Sequence, residues 1–361
     1  MSARIAVLVT GVGGGGVGEQ IVKALRLART PYRIIGTDVT SVSKGLMEVD
    51  QAYEVPPAGD PAYIPQLQAV CETEGVRALF CGSEPELRVI SERRGAFEDA
   101  AILVPMNPSE VIRTCLDKLA TARFLASRGL LSPRSREIAS VADLEQVDFM
   151  PAILKPHSGG GSANVHIAQS REELHFLGRY LLAYHPRIVA QEYVGRADAE
   201  YTVGVLLSMQ GELINSVAIR RTILSGLGNR LRVPNRTGDD RFGPALVVSS
   251  GISQGRLDRY PEVTGPCEEI ALALGCRGAV NIQCRLVDGR PYVFEINPRF
   301  SGTTSLRALA GYNEPDVLVR RHLLGEFIPH RFDYRSGDIL RGLQERFVEP
   351  DGVVRASDLM P

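Results

Sequence analysis

Asn281-Ile282-Gln283-Cys284, followed after a short turn by Val293-Phe294-Glu295-Ile296-Asn297-Pro298-Arg299, is the stretch on which the reading of this chain depends. The composition makes Ala279–Leu286 and Tyr292–Ile296 strands, joined through the turn Asp288–Gly289. Glu295 and Asn297 are two apart on a strand, so their side chains project the same way. Pairing of the two strands would set Gln283 beside Glu295 on that face. One carboxylate among neutral amide oxygens suits magnesium, a hard cation that shares its oxygen ligands with phosphates. Arg299, just beyond, has the fork to grip a γ-phosphate or an acyl phosphate. An ordinary surface hairpin would not need the apolar flank of Tyr292, Val293, Phe294 and Ile296, which argues for a buried setting.

Outward from this pair, the middle and last parts of the chain read as antiparallel sheet with helices. Strands are expected at Ala152–Pro156, Val165–Ala168, Ile188–Tyr193, Glu200–Ser208 and Glu212–Arg220, and helices at Arg171–Tyr184, Pro261–Leu274 and Glu314–Leu324. Arg220 to Arg241, rich in Gly, Arg, Asn and Asp, reads as a long loop. The first third alternates differently. Strands at Ile5–Thr10, Tyr32–Asp38, Ala78–Cys81 and Ala101–Pro105 are separated by helices at Gly18–Ala28, Pro65–Glu74 and Glu86–Arg94. Such alternation implies a parallel sheet covered on both faces. A helical stretch, Ser109–Arg128, follows as the hinge region. The fold class is therefore α/β followed by α+β.

Gly11-Val12-Gly13-Gly14-Gly15-Gly16-Val17-Gly18 follows the first strand and opens a helix, with Asp38 ending the next strand. That is close to the dinucleotide fingerprint, in which glycines admit a phosphate and the acid holds a ribose. The same turn also serves other anions, or close packing alone, so it does not decide for a nicotinamide enzyme.

Composition narrows the rest. A chain of 361 residues suits two or three domains, and 41 basic residues against 42 acidic ones leave no general pull toward nucleic acid or an anionic membrane. Phosphate recognition must then be local. No stretch approaches the roughly 20 apolar residues of a membrane span. The start reads as a buried strand and not as a signal peptide. Cys71, Cys81, Cys115, Cys267, Cys276 and Cys284 form no metal spacing with the six histidines, and reduced buried thiols in a cytoplasmic protein are expected.

Gln283 with Glu-x-Asn-Pro-Arg at 295–299 resembles the magnesium and phosphate site of the ATP-grasp enzymes, closest to the carbamoyl-phosphate synthetase large-subunit and carboxylate–amine ligase branch. The resemblance covers the chain from Ile5 to about Leu324, with its motifs in the family order. It implies a pre-ATP-grasp, Rossmann-like parallel-sheet domain at 1–108 and a two-lobed ATP-grasp body. The small lobe would span 109–187 and the large lobe 188–330, with 331–361 packing as an extension. Lys118, in Asp117-Lys118-Leu119-Ala120-Thr121, resembles the family's first nucleotide-binding helix, and Lys155 its second phosphate-binding lysine. Ser158, Gly159, Gly160, Gly161 and Ser162 resemble the mobile glycine loop, while Gln191, Glu192, Tyr193 and Val194 are similar to the adenine-binding linker. Glu200 matches the ribose-binding acid. ATP and Mg2+, with Mn2+ as the other ion, are the implied cofactors, with Gln283, Glu295 and Asn297 on the metal. The two synthetase units are one here, so carbamoyl phosphate is not the expected product.

For chemistry, Lys155, Arg220 and Arg299 are the expected catalytic set. Arg220, at a strand end, would face the site and hold a carboxylate or a tetrahedral intermediate. Its competing reading is a solvated basic loop that includes Arg221, Arg230, Arg232 and Arg236. Glu84 or Glu86, at the edge of a parallel strand, could receive a substrate ammonium, with a helix cap by Ser83 or Glu84 as the competing reading. Ser301 to Ser305 could line the acceptor pocket or cap a helix, and His157 could act in the site or only pack there. The expected reaction is phosphorylation of a small carboxylate to an acyl phosphate and its capture by an amine or other nucleophile, releasing ADP and phosphate. The alternatives are a bicarbonate-activating enzyme and a nucleotide-binding relative without turnover. Small-molecule carboxylate and amine partners are expected, with no nucleic acid or membrane, and a homodimer by analogy.

Overall fold

A computed structural model describes residues 4–157, 164–223, 227–342 and 353–360. The first strand, Ile5–Val9, runs between Tyr32–Asp38 and Ala78–Phe80, and Gln51–Glu54 and Val353–Arg355 extend the sheet on one side, every pair parallel. Its apolar run is explained by two-sided burial. Val7 and Val9 pack with Val17 and Ile21 of the helix Val17–Arg26, while Ala6 and Leu8 pack with Tyr63, Leu67 and Val70 of the helix Tyr63–Glu74. A residue buried on either face must be apolar, so alternation is lost.

Three expectations about local structure are corrected. Ala101–Pro105 is not a strand: only Leu103 bridges Ala78, Ala101 sits at φ 57°, and Pro105 has no N–H for a ladder. Ser109–Arg128 is two helices, Ser109–Leu116 and Lys118–Ser127, because Asp117 adopts an extended conformation between them. Its carboxylate accepts from Leu119 N and Ala120 N at 2.9 Å each, so the break creates a capped N-terminus with Lys118 as its first residue. Within Arg220–Arg241, the strand Asn229–Pro234 pairs with Ala245–Ser249 where a loop was expected.

The body holds two further main sheets. Four strands, Ser135–Ile138, Ile188–Glu192, Ala152–Pro156 and His166–Ala168 in that order, are covered by the helix Arg171–Leu182 around Leu144, Leu154, Leu174 and Leu181. Six antiparallel strands follow in the order Arg290–Asn297, Ala279–Val287, Glu200–Leu207, Leu213–Arg221, Gly255–Asp258 and Gly337–Ile339. On one face Val203, Val205 and Ala218 pack with Val263, Cys267 and Ile270 of the helix Pro261–Ala273. On the other, Val217, Ile219 and Leu257 join Leu306, Val317 and Leu318, and this cluster runs on into Val7, Val9 and Ile21 of the first sheet. The segment after residue 330 supplies a strand to each of two sheets, Gly337–Ile339 to the large one and Val353–Arg355 to the first. All six cysteines are buried and unpaired, and among the described residues no helix is long and apolar enough to cross a membrane.

Candidate active site

The site is built from strand register. Gln283 pairs directly with Glu295 and Asn281 with Asn297 across the hairpin, so the four polar side chains share one face. On the other side of Ala279–Val287, Gln283 faces Thr202 and Arg285 faces Glu200. The irregularity between Gln283 and Cys284 marks where the partner strand gains a residue, which keeps Glu295 on the polar face.

A cavity of about 310 Å³ lies over this face, enclosed by Lys118, Lys155, Gln191, Glu200, Gln283 and Glu295 among others. Lys155 is 8% exposed and donates to Gln191 Oε1 at 2.7 Å; Gln191 Nε2 in turn donates to Ser135 Oγ at 3.0 Å. Burial, with the charge of Lys118 beside it, lowers the Lys155 ammonium to about 8, against the pull of Glu295. Burial also lowers Lys118, opposed by Glu295 and Glu84. Two lysines and a carboxylate thus share one space, where an entering anion would meet two ammonium groups side by side.

The remaining sequence candidates divide. Glu192 turns away: its carboxylate forks onto Arg134, with Nε and Nη2 at 3.1 Å each, so it offers the cavity wall its main chain. Tyr193 OH accepts from Val247 N at 2.9 Å, and Val194 O accepts from Arg285 Nη1 at 3.2 Å, which fixes the linker. Glu200 is held by two arginines, Arg221 Nη1 at 2.9 Å and Arg285 through Nε at 3.1 Å and Nη2 at 3.0 Å. Arg299 donates through Nη2 to Glu84 at 2.7 Å and Asn297 at 3.0 Å, while its buried Nε has no acceptor among the described residues. His157 pairs with Asp117 at 3.1 Å, behind Lys118. Ser158, Gly159, Gly160, Gly161 and Ser162 lie outside the described residues.

Arg220 does not face this cavity. It alternates with Arg221 along Leu213–Arg221, and Arg221 takes the inward position, 3% exposed, reaching Glu200, Ser249 and Ser250 O. Arg220 therefore emerges on the other face, where its Nε donates to Asp198 O at 2.9 Å. Arg221 and Arg285 are the polar residues that sequence reasoning passed over. Arg285 carried a signal, since it lies two residues from Gln283 on the same strand; the choice between Arg220 and Arg221 needed the register. Behind the strands, buried Arg307 donates to Asn281 Oδ1 at 2.6 Å and to Glu314 at 3.0 Å. Gly204 makes room for it, since a Cβ there would lie 2.4 Å from Arg307 Nη1.

The glycine-rich turn is differently furnished. A Cβ on Gly13 would lie 2.3 Å from Asp38 Oδ2 and 2.4 Å from Ser43 Oγ, so the turn is packed onto that acid. Asp38 itself accepts from Val39 N at 2.7 Å and Ser43 Oγ at 3.0 Å. Glu86 is buried beneath Gly11, where it accepts from Tyr63 OH at 2.9 Å and Ser83 Oγ at 2.7 Å. Burial raises its carboxyl despite these bonds. Ser83 caps the helix Glu84–Glu92, one of the two readings weighed for that turn.

Residues 248–336 match the family described as ATP-grasp in the biosynthetic pathway with Ter operon, and residues 7–105 match the PylC-like, N-terminal domain family. The carbamoyl phosphate synthase large chain of Thermoplasma volcanium is 23% identical over 265 residues, covering 70% of this chain and 24% of that one. D-alanine–D-alanine ligase A of Bacillus cereus is 24% identical over 200 residues, 54% of this chain and 61% of that one. Among solved structures, the L-amino acid ligase from Bacillus licheniformis superposes with a TM-score of 0.62 at 19% identity, over 90% of this chain and 75% of the other. The chain thus spans about a quarter of the synthase's length and less than two thirds of the ligase's.

Proposed function

We propose that this chain, whose residues 7–105 and 248–336 match the PylC-like N-terminal and ATP-grasp families, uses magnesium-ATP to phosphorylate a small carboxylate and couples the acyl phosphate to an amine. The observation that carries the proposal is the in-register pair Gln283–Glu295, with Asn297 and Arg299 beyond it, opposite Lys118 and Lys155 across one cavity. Ligases among the similar proteins support the same reaction class.

The donor set fits magnesium. Glu295 is its carboxylate, Gln283 Oε1 accepts a long 3.4 Å contact from Arg221, and Asn297 presents an amide oxygen. An ion held by one carboxylate and two amide oxygens would complete its shell with phosphate oxygens. When bound, the ion would draw charge from the phosphate oxygens. Lys118 and Lys155 would hold those oxygens as compact charges. Arg299, with an unused buried Nε, would exchange Glu84 for the transferring phosphoryl group. Phosphoryl transfer asks mainly for such positioning and charge neutralisation, so no side-chain nucleophile is required. The apolar wall of Ile153, Val247, Val248 and Phe294 would seat a flat base and keep water from the acyl phosphate.

The test is ADP release with magnesium-ATP over a panel of amino acids, small carboxylates and bicarbonate, with hydroxylamine present to trap acyl phosphates. Hydroxamate from one carboxylate, lost in Glu295→Gln, is expected. Nucleotide binding without turnover on any member of the panel would count against a ligase. A homodimer belongs to the same reading and is checked by the mass of the protein in solution.

A further inference from the structure

The arginine that turns away from the nucleotide cavity points to a second site. Arg220 and Arg256 are direct partners in the antiparallel pair Leu213–Arg221 and Gly255–Asp258, so two guanidinium groups rise side by side on the outer face of the large sheet. Like charges placed directly opposite destabilise a sheet unless something neutral or negative lies between them. The neighbours supply little. Asp338, the partner of Arg256 on the next strand, reaches it only at 3.4 Å. Asp198 directs its carboxylate to Arg196, at 3.2 and 3.5 Å, and gives Arg220 only its main-chain oxygen. With Arg196 matched to Asp198 and Arg256 to Asp338, Arg220 is left without a carboxylate among the described residues.

The pair stands in a concavity, not on a flat surface. A cavity of about 240 Å³ opens here, lined by Asp198, Arg220, Thr222, Ile223, Arg256 and Asp338, with the buried Arg221 at its back. We propose that this cavity binds a small oxyanion, a carboxylate or a phosphate, gripped between Arg220 and Arg256. A forked guanidinium pair matches either group in shape and charge. The site is distinct from the nucleotide cavity yet backs onto it. The turn Ala197–Ala199, whose Asp198 oxygen Arg220 holds, leads directly into Glu200, and Glu200 is gripped by Arg221. The proposal does not depend on the ligase reaction.

The test is the thermal unfolding of wild type, Arg220→Gln and Arg256→Gln, each titrated with sodium phosphate and separately with sodium succinate, against sodium chloride at equal ionic strength. Both arginines are exposed, so the variants are expected to fold, as far-UV circular dichroism would verify. Wild type should be stabilised by millimolar anion beyond the chloride control, and whichever salt acts identifies the ligand as carboxylate or phosphate. Each variant should lose the effect, with apparent affinity down about tenfold or more. No stabilisation of wild type by either salt would overturn the proposal. So would a response that persists in Arg220→Gln, because it would then belong to the Lys118 and Lys155 cavity.

Discussion

Around the turn at Gly11–Gly16 the groups that face the backbone are acids. Asp38 is tied to Ser43 and Val39, Glu86 is buried against Tyr63 and Ser83, and the nearby Lys44 is engaged by Glu48 and Glu19. Around the hairpin Ala279–Val287 and Arg290–Asn297 the balance is reversed. Lys118 and Lys155 face a cavity with the proposed metal carboxylate Glu295, and Arg299 lies beside it, bonded to Glu84. Both regions place a helix or strand end within reach of an anion, but the first turns acids toward it and the second two lysines. Glycine permits a close approach of backbone to anion, whereas affinity comes chiefly from charged donors.

The sharpest way to break this contrast is Glu295→Gln. Loss of the only carboxylate in the proposed metal set should lower ADP release by about 10²–10³-fold or more, the scale of a missing preorganised electrostatic partner. Steady-state kinetics would read it; near-normal turnover would remove the hairpin from the chemistry. Lys155→Met comes next. Removing one charged donor from a buried phosphate site should weaken magnesium-ADP binding by about 10–100-fold, measured by calorimetry. In the first region the effect should fall on stability instead. Gly13→Ala forces a methyl group into Asp38 and Ser43 and should cost about 1–3 kcal/mol in chemical denaturation, with ADP affinity unchanged. The smallest effect is a pH dependence. Lys155 is held at about 8, below the ordinary lysine value, so it is charged beneath that pH and neutral above it. ADP affinity should decline by up to about tenfold between pH 7 and 9, and Lys155→Met should flatten this part of the profile. For folding the sign is opposite: charging the buried lysine costs stability below about 8, a cost relieved as pH rises toward the unfolded value.

Much of this arrangement was legible from residue order. Tyr32–Asp38 and Ala152–Pro156 are strands with the anticipated ends, and the Gln283–Glu295 pairing follows from two apolar strands around one turn. Long-range register was not legible. Nothing local says that Arg221 and not Arg220 faces inward, because that depends on which face of the strand meets Leu306 and Val317 and which meets Val263 and Cys267. Gln51–Glu54 was missed because four residues with polar ends have no period to detect, and it is a strand only through Tyr32–Asp38 beside it. Val353–Arg355 returns from the far end of the chain to pair with Gln51–Glu54, and no local pattern encodes such a contact. The inward-facing Glu86 was weighed beside Glu84 without a means of separating them. The fold does so by burying Glu86 under Gly11 and leaving Glu84 to reach Arg299.

The most direct test of where the nucleotide sits is calorimetric titration of magnesium-ADP into wild type, Lys155→Met and Asp38→Asn under one set of conditions. The account predicts binding to wild type and to Asp38→Asn with similar affinity, and its loss or marked weakening in Lys155→Met. Binding that survives Lys155→Met and fails in Asp38→Asn would place the nucleotide on the glycine-rich turn and contradict it.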